Sequence, residues 1–210
     1  MQIGLYGGTF NPIHFGHLRT AEELYENFKL QQVVFIPAAI PPHKDADILD
    51  PIHRLKMVNL ATTGNPRFGQ SEVEIHRSGK SYSIDTVKQL KEEFPDSDLA
   101  FIMGMDAFVE IDTWHKYKEL FTVCDFIVTN RPGEKARGTM KAFPEGIRDQ
   151  FKRKKGVFVH ESGRVVHFAE VTGLDISATR IRGLVRKGRS VRYLLPRRVI
   201  EYIQENELYK

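Results

Sequence analysis

The chain has 210 residues and a mass of 24.2 kDa, with 41% hydrophobic and 28% charged residues and a formal net charge of +4. That balance belongs to a globular domain large enough to bury a core, and it excludes a disordered chain. No apolar run reaches the ~20 residues of a bilayer crossing, MQIGLYGG lacks the parts of a signal peptide, and the single Cys124 excludes an internal disulfide, so a cytoplasmic location is expected.

QIGLY (2–6) reads as a strand. HLRTAEELYENF (17–28) reads as a helix, because Leu18, Ala21, Leu24, Tyr25 and Phe28 recur at helical spacing. QVVFIP (32–37) is a second strand stopped by Pro37, and PPHKDADILD (41–50) is a polar loop. PIHRLKMVNLAT (51–62) predicts a helix with Asp50 as N-cap and Pro51 in its first position. VEIH (73–76) reads as a short strand, SIDTVKQLKEEF (83–94) as a helix ended by Pro95, and DLAFIMG (98–104) and CDFIVTN (124–130) as further strands. Residues 131–156 mix Gly, Pro and charge and are expected to form an insertion or mobile loop carrying a short helix. VFVH (157–160) and VVHFAEV (165–171) read as strands. Ser177 caps a helix over ATRIRGLVRKG, and PRRVIEYIQENELY (196–209) closes the chain as another helix. The alternation predicts an α/β fold: a Rossmann-like open, mainly parallel sheet with helices on both faces. It forms a single domain, 1–210, with a C-terminal helical portion from 176.

Charge is unevenly placed. Residues 1–149 hold 17 Lys/Arg against 21 Asp/Glu, and residues 150–210 hold 14 against 6. The basic portion implies an anionic partner: nucleic acid, a membrane surface or a small phosphorylated ligand. GGTFNPIHFGH (7–17) indicates where a ligand would sit, because open parallel sheets bind beyond the C-terminal ends of their strands. A glycine turn there brings backbone amides and a helix N-terminus to a phosphate. The stretch is neither the P-loop G-x-x-x-x-G-K-[ST] nor the dinucleotide fingerprint G-x-G-x-x-G. Its distinctive part is His14 and His17, one helical turn apart and able to donate to phosphate oxygens. The same pair would also suit the surface of a capped helix, or a zinc site given a third ligand.

GGTFNPIHFGH resembles the signature of the HxGH nucleotidylyltransferase superfamily, whose usual form has Asp where this chain has Asn11. PPHK (41–44), SYSIDT (81–86), GMDAF (104–108) followed by Thr113 and Trp114, and ISATRIR (176–182) follow in order. The set is similar to the bacterial nicotinate-nucleotide adenylyltransferase family over nearly the whole chain. The resemblance implies a step of NAD biosynthesis in which nicotinate mononucleotide and ATP become nicotinate adenine dinucleotide and pyrophosphate. The mononucleotide phosphate attacks the α-phosphorus directly, so the protein supplies alignment and charge neutralisation.

On that resemblance the amides of Gly7, Gly8, Thr9 and Phe10 hold ATP, and His14 and His17 bind its phosphates, with His17 stabilising charge at the α-phosphate. Ser177 and Thr179 add hydroxyls and amides at a helix start, and Arg182 adds a permanent charge for the β- and γ-phosphates, whereas Arg180 faces elsewhere. The nicotinate mononucleotide contacts are Lys44, Ser83, Asp106, Trp114 and His115, with Trp114 stacking on the pyridine ring and the backbone amide of His115 meeting the carboxylate. Asp106 would also serve as a helix N-cap. Mg²⁺ is expected through the ATP phosphates and water rather than a protein metal cage. The partners are small molecules, with no nucleic acid and no membrane, and a homo-oligomer is compatible. The alternatives are a sibling enzyme, such as a pantetheine-phosphate adenylyltransferase or a cytidylyltransferase, and a nucleic-acid-binding module built on KRKK and RIRGLVRKGRSVR.

Overall fold

The computed structural model describes residues 1–41, 47–130 and 139–210. Eight strands form one sheet in the order β3-β2-β1-β4-β5-β8-β7-β6. They are β1 (Gln2–Gly8), β2 (Gln32–Pro37), β3 (Phe68–Gln70), β4 (Asp98–Gly104), β5 (Asp125–Asn130), β6 (Phe151–Lys154), β7 (Val157–His160) and β8 (Val165–Glu170). All pairings from β3 to β8 are parallel, while β7 pairs antiparallel with both β8 and β6. The mainly parallel, doubly covered sheet is therefore as expected.

Side chains alternate across a strand, so a sheet covered on both faces must bury both sets. In β4, Leu99, Phe101 and Met103 enter one core cluster while Ala100 and Ile102 enter the other. The first cluster is closed by α4 (Ser83–Glu93), α5 (Met105–Val109) and α6 (Tyr117–Val123), through residues such as Ile84, Val87, Phe108 and Phe121. The second is closed by α1 (Phe15–Phe28), α2 (Pro51–Thr62), α7 (Ala178–Arg186) and α8 (Arg197–Glu205), through Leu24, Met57, Ile181 and Val199. Asp50 caps α2 as expected, its Oδ1 accepting from the Ile52 N–H at 2.8 Å. Ser177 caps α7 by accepting from the Arg180 N–H at 3.2 Å.

Three expectations need correction. VEIH is not a strand but the helical turn α3 (Val73–His76), with the Ile75 and His76 amides bonded to the Glu72 carbonyl. Val73 and Glu74 are consecutive and both buried, which a half-buried strand would not allow. The third strand lies just before it, at Phe68–Gln70. The segment read as insertion or loop contributes to the sheet: two 3₁₀ turns (Met140–Ala142 and Glu145–Gln150) lead into β6, the outer edge. Lys152, Arg153 and Lys154 stand exposed there, a charge pattern that keeps an edge strand from pairing with another chain. The last helix stops at Glu205 rather than running to residue 209, because Leu208 and Tyr209 turn back into the core.

Candidate active site

Two cavities open at the C-terminal ends of β1 and β4, and both are lined by Tyr6 and Gly104. The smaller, about 310 Å³, also has His14, Gly16, His17, Asp106, Ser177 and residues 172–174 in its wall. The larger, about 610 Å³, holds Gly7, Gly8, Thr9, Ser83, Trp114 and His115.

The histidine pair is built by the start of α1. His14 is its N-cap in an extended conformation and is only 6% exposed, so the reading of the pair as surface residues fails for it. The His14 and His17 rings stack with centroids 3.7 Å apart and planes 23° off parallel. Gly16 permits this, since a Cβ there would come within 3.0 Å of the His14 ring. Tyr6 and Phe10 meet the His17 ring edge to face. The His14 backbone N–H donates to His17 Nδ1 at 3.2 Å, so Nδ1 is an acceptor and the neutral ring carries its proton on Nε2. Nε2–H is the donor such a ring can offer to a phosphate oxygen.

Gly8 has a reason the sequence did not reveal: a Cβ would lie 2.9 Å from the buried Phe10 ring, which folds back against it. Asn11 is buried and stitches distant segments together. Its Nδ2 donates to the Asp47 carbonyl (2.7 Å), and its Oδ1 accepts from the Tyr209 hydroxyl (2.8 Å) and the Leu49 N–H (3.4 Å). An ionised aspartate could accept those bonds but could not make the donation. Burial pushes the Tyr209 hydroxyl far above its usual range, keeping it a neutral donor.

Arg182 donates from Nη1 to the Asn11 carbonyl (2.9 Å) and from Nε to Asp47 (3.2 Å). Asp47 pairs with Arg186 as well, and these two guanidinium groups hold its carboxyl below the usual carboxylate range. Arg180 lines neither cavity; its side chain is exposed and comes within 4.0 Å of the Asp175 carboxylate. On the acceptor side, the Trp114 ring is propped edge-on against Phe101 (6.0 Å, 86°), and His115 lies tilted on the Tyr82 ring at 4.4 Å.

Some expected residues separate. Gly7, Gly8 and Thr9 line the larger cavity, alongside Ser83, Trp114 and His115, while Asp106 lines the smaller one with the histidines. Asp106 is the second residue of α5, whose N-cap is Gly104. Phe10, Thr179 and Arg182 line neither cavity, and Lys44 lies outside the described residues. Sequence reasoning missed Glu74, a buried carboxylate in the wall of the larger cavity that accepts from Thr86 Oγ1 at 2.6 Å. Arg77 donates to the same hydroxyl at 2.9 Å. The E-x-x-R spacing before SYSIDT carried that signal, but VEIH read as a strand hid it. Among the described residues, no three His, Cys, Asp or Glu side chains converge on a possible metal position, and no helix is long and apolar enough to cross a membrane.

A family model described as cytidylyltransferase-like matches residues 5–184. The chain is 45% identical over 212 residues to a protein of Geobacter metallireducens named "Probable nicotinate-nucleotide adenylyltransferase", covering 100% of this chain and 98% of the relative. A Geobacter sulfurreducens protein of the same name is 45% identical over 214 residues, with the same coverage. Among solved structures, the Plasmodium falciparum nicotinic acid mononucleotide adenylyltransferase complexed with NaAD superposes with a TM-score of 0.76 at 19% identity, covering 99% of this chain and 97% of that one. That likeness speaks for the fold. With a family model over most of the chain and full-length relatives, the chain belongs to the nicotinate-nucleotide adenylyltransferases of the cytidylyltransferase-like family.

Proposed function

We infer that the chain transfers the adenylyl group of ATP to nicotinate mononucleotide, giving nicotinate adenine dinucleotide and pyrophosphate. The observation that carries the division of labour is the pair of cavities meeting at Tyr6 and Gly104. The triphosphate lies along the smaller one, against His14, His17 and the Ser177 end of α7. The pyridine ring lies in the larger one, on Trp114. The backbone from Gly7 to Thr9, at the end of β1, lines the larger cavity just past the shared Tyr6 and sets the angle at which the acceptor phosphate meets the α-phosphorus. The attack displaces pyrophosphate in line, and His17 Nε2–H donates to the oxygens on which charge builds, a role that preorganised donors fill without reorganisation. Asp106 is the carboxylate in the wall of the smaller cavity and would face a Mg²⁺ carried by the triphosphate, an ion that would supply phosphate charge neutralisation. The setting is the cytoplasm, where the Cys124 thiol, driven up by burial, stays inert.

The test is pyrophosphate release from ATP with nicotinate mononucleotide, its amide analogue and phosphopantetheine in parallel. The acid mononucleotide should give much the highest kcat/KM. A phosphopantetheine preference would transfer the chain to the sibling reaction. His17→Ala should lower turnover by about 10²-fold or more while the protein remains folded at the assay temperature.

A further inference from the structure

Arg54 is the largest fully buried side chain of the described residues, with 0% exposure, and lies on α2 outside both cavity walls. Each of its three guanidinium nitrogens is used. Nε donates to the Leu49 carbonyl (2.9 Å), Nη1 to the Thr9 carbonyl (2.9 Å) and Nη2 to the Ala39 carbonyl (3.0 Å). No carboxylate among the described residues pairs with it; Asp50 and Glu74 act only through space. Burial lowers its pKa, but a guanidinium starts so high that it stays charged. A buried cation without a paired anion is costly, and a methionine of similar length would fill the volume more cheaply. What a methionine could not do is hold three backbone carbonyls from three separate loops.

Each of those carbonyls belongs to the frame of the site. A trans peptide points its N–H opposite to its C=O. Thr9 C=O drawn inward to Arg54 therefore turns the Phe10 N–H away from the guanidinium, and so orients the glycine loop. Ala39 C=O drawn inward turns the next amide outward, and both the Ala39 and Ile40 N–H groups donate to Ser81 Oγ (2.9 and 3.2 Å). The Ser81 N–H returns a bond to the Ile40 carbonyl at 3.0 Å. Ser81 begins the segment that carries Tyr82 and Ser83 into the larger cavity. The third carbonyl, Leu49, anchors the segment whose amide meets Asn11.

We propose that Arg54 is a positioning residue for adenylyl transfer: its guanidinium locks the β1 glycine loop to the wall of the acceptor cavity, so that both substrates are held in one register by a group that touches neither. The inference rests on the site assignment made above. Loss of register between two reacting groups degrades the reaction itself, and a misplacement of about 1 Å can cost on the order of 10²-fold. A residue that only filled the core would change stability alone.

Arg54→Lys and Arg54→Met are the variants to compare, each with circular dichroism, a melting curve and steady-state constants for ATP and nicotinate mononucleotide, beside His17→Ala. Lysine keeps the charge but gathers its donors at one point, so it cannot span three carbonyls. Both Arg54 variants should remain folded at the assay temperature, with kcat down by about tenfold or more and KM raised for both substrates, methionine being the worse. Normal kcat and KM values in a folded Arg54→Met protein with a lowered melting temperature would overturn the proposal, because the residue would then be packing only. Failure of both variants to fold overturns it too, assigning Arg54 to folding. Full activity in His17→Ala would strike the site assignment instead, a result separate from either Arg54 outcome.

Discussion

The two ends of the sheet spend polar residues differently. Around the β3-β2-β1-β4 end, buried polar side chains reach across the chain to backbone: Arg54 to three carbonyls, Asn11 to the Asp47 carbonyl and the Leu49 amide, Ser81 to two amides. At the β8-β7-β6 end the interior is a cluster of phenylalanine rings. Phe143 lies 4.4 to 5.9 Å from Phe151, Phe158, Phe108 and Phe168. The buried polar group there, His160, is satisfied locally by Ser162 and Gln150. Backbone-directed hydrogen bonds fix loops in one conformation, whereas aromatic burial supplies stability with little demand on any loop. One end is built for geometry and the other for cohesion.

The contrast is sharpest if the aromatic end is damaged. Phe143 is 1% exposed, and Phe143→Ala should cost about 3–5 kcal/mol, which for a chain of this size lowers the melting temperature by roughly 10 °C. Well below that temperature, kcat and both KM values should be unchanged. A variant that melts normally but turns over slowly would break the division between the two ends.

The reciprocal variant is Trp114→Ala. Trp114 is half-buried, propped on Phe101, with its ring at the larger cavity. Stacking on a base-like ring is worth roughly 1–3 kcal/mol, so KM for nicotinate mononucleotide should rise by about tenfold or more while KM for ATP holds. Equal effects on the two substrates would mean that the larger cavity is not the acceptor side.

This division also explains what could be read from the sequence. Local rules carried the strands β1, β2, β4, β5, β7 and β8, the caps at Asp50 and Ser177, and the GGTFNPIHFGH loop, because periodicity and capping are short-range. Arg54 was not legible. It sits on a helix like any solvated arginine, and only the convergence of three loops buries it. Glu74 was hidden for a similar reason, since V-E-I-H fits a strand as well as a helical turn until packing decides. Strand β6 was lost because its charged residues, Lys152 to Lys154, look like a loop when the edge they protect is not visible. Long-range contacts leave no period.

The smallest effect concerns pH. Burial lowers the pKa of His160, with Glu161 opposing, and that of His167, with Asp125 opposing; His167 also meets the Phe28 ring edge-on. Both folded-state values lie below the unfolded value near 6.5. Below that value the unfolded chain takes up protons that the folded chain resists, so the unfolded state binds more protons and stability rises with pH. The contribution is complete above the unfolded value and is lost as pH falls through the folded values. Asp47 and Glu23 do not interfere in this window. Guanidinium partners hold Asp47 low, and bonds from Thr172 and Arg19 hold Glu23 low against the upward push of burial. The melting temperature should therefore drop modestly between about pH 7.5 and about pH 5.5, and His167→Phe should flatten part of that drop. Because both histidines serve the cohesive end, KM for either substrate should not follow the same curve. A melting temperature that rises toward acid would place the titrating groups elsewhere.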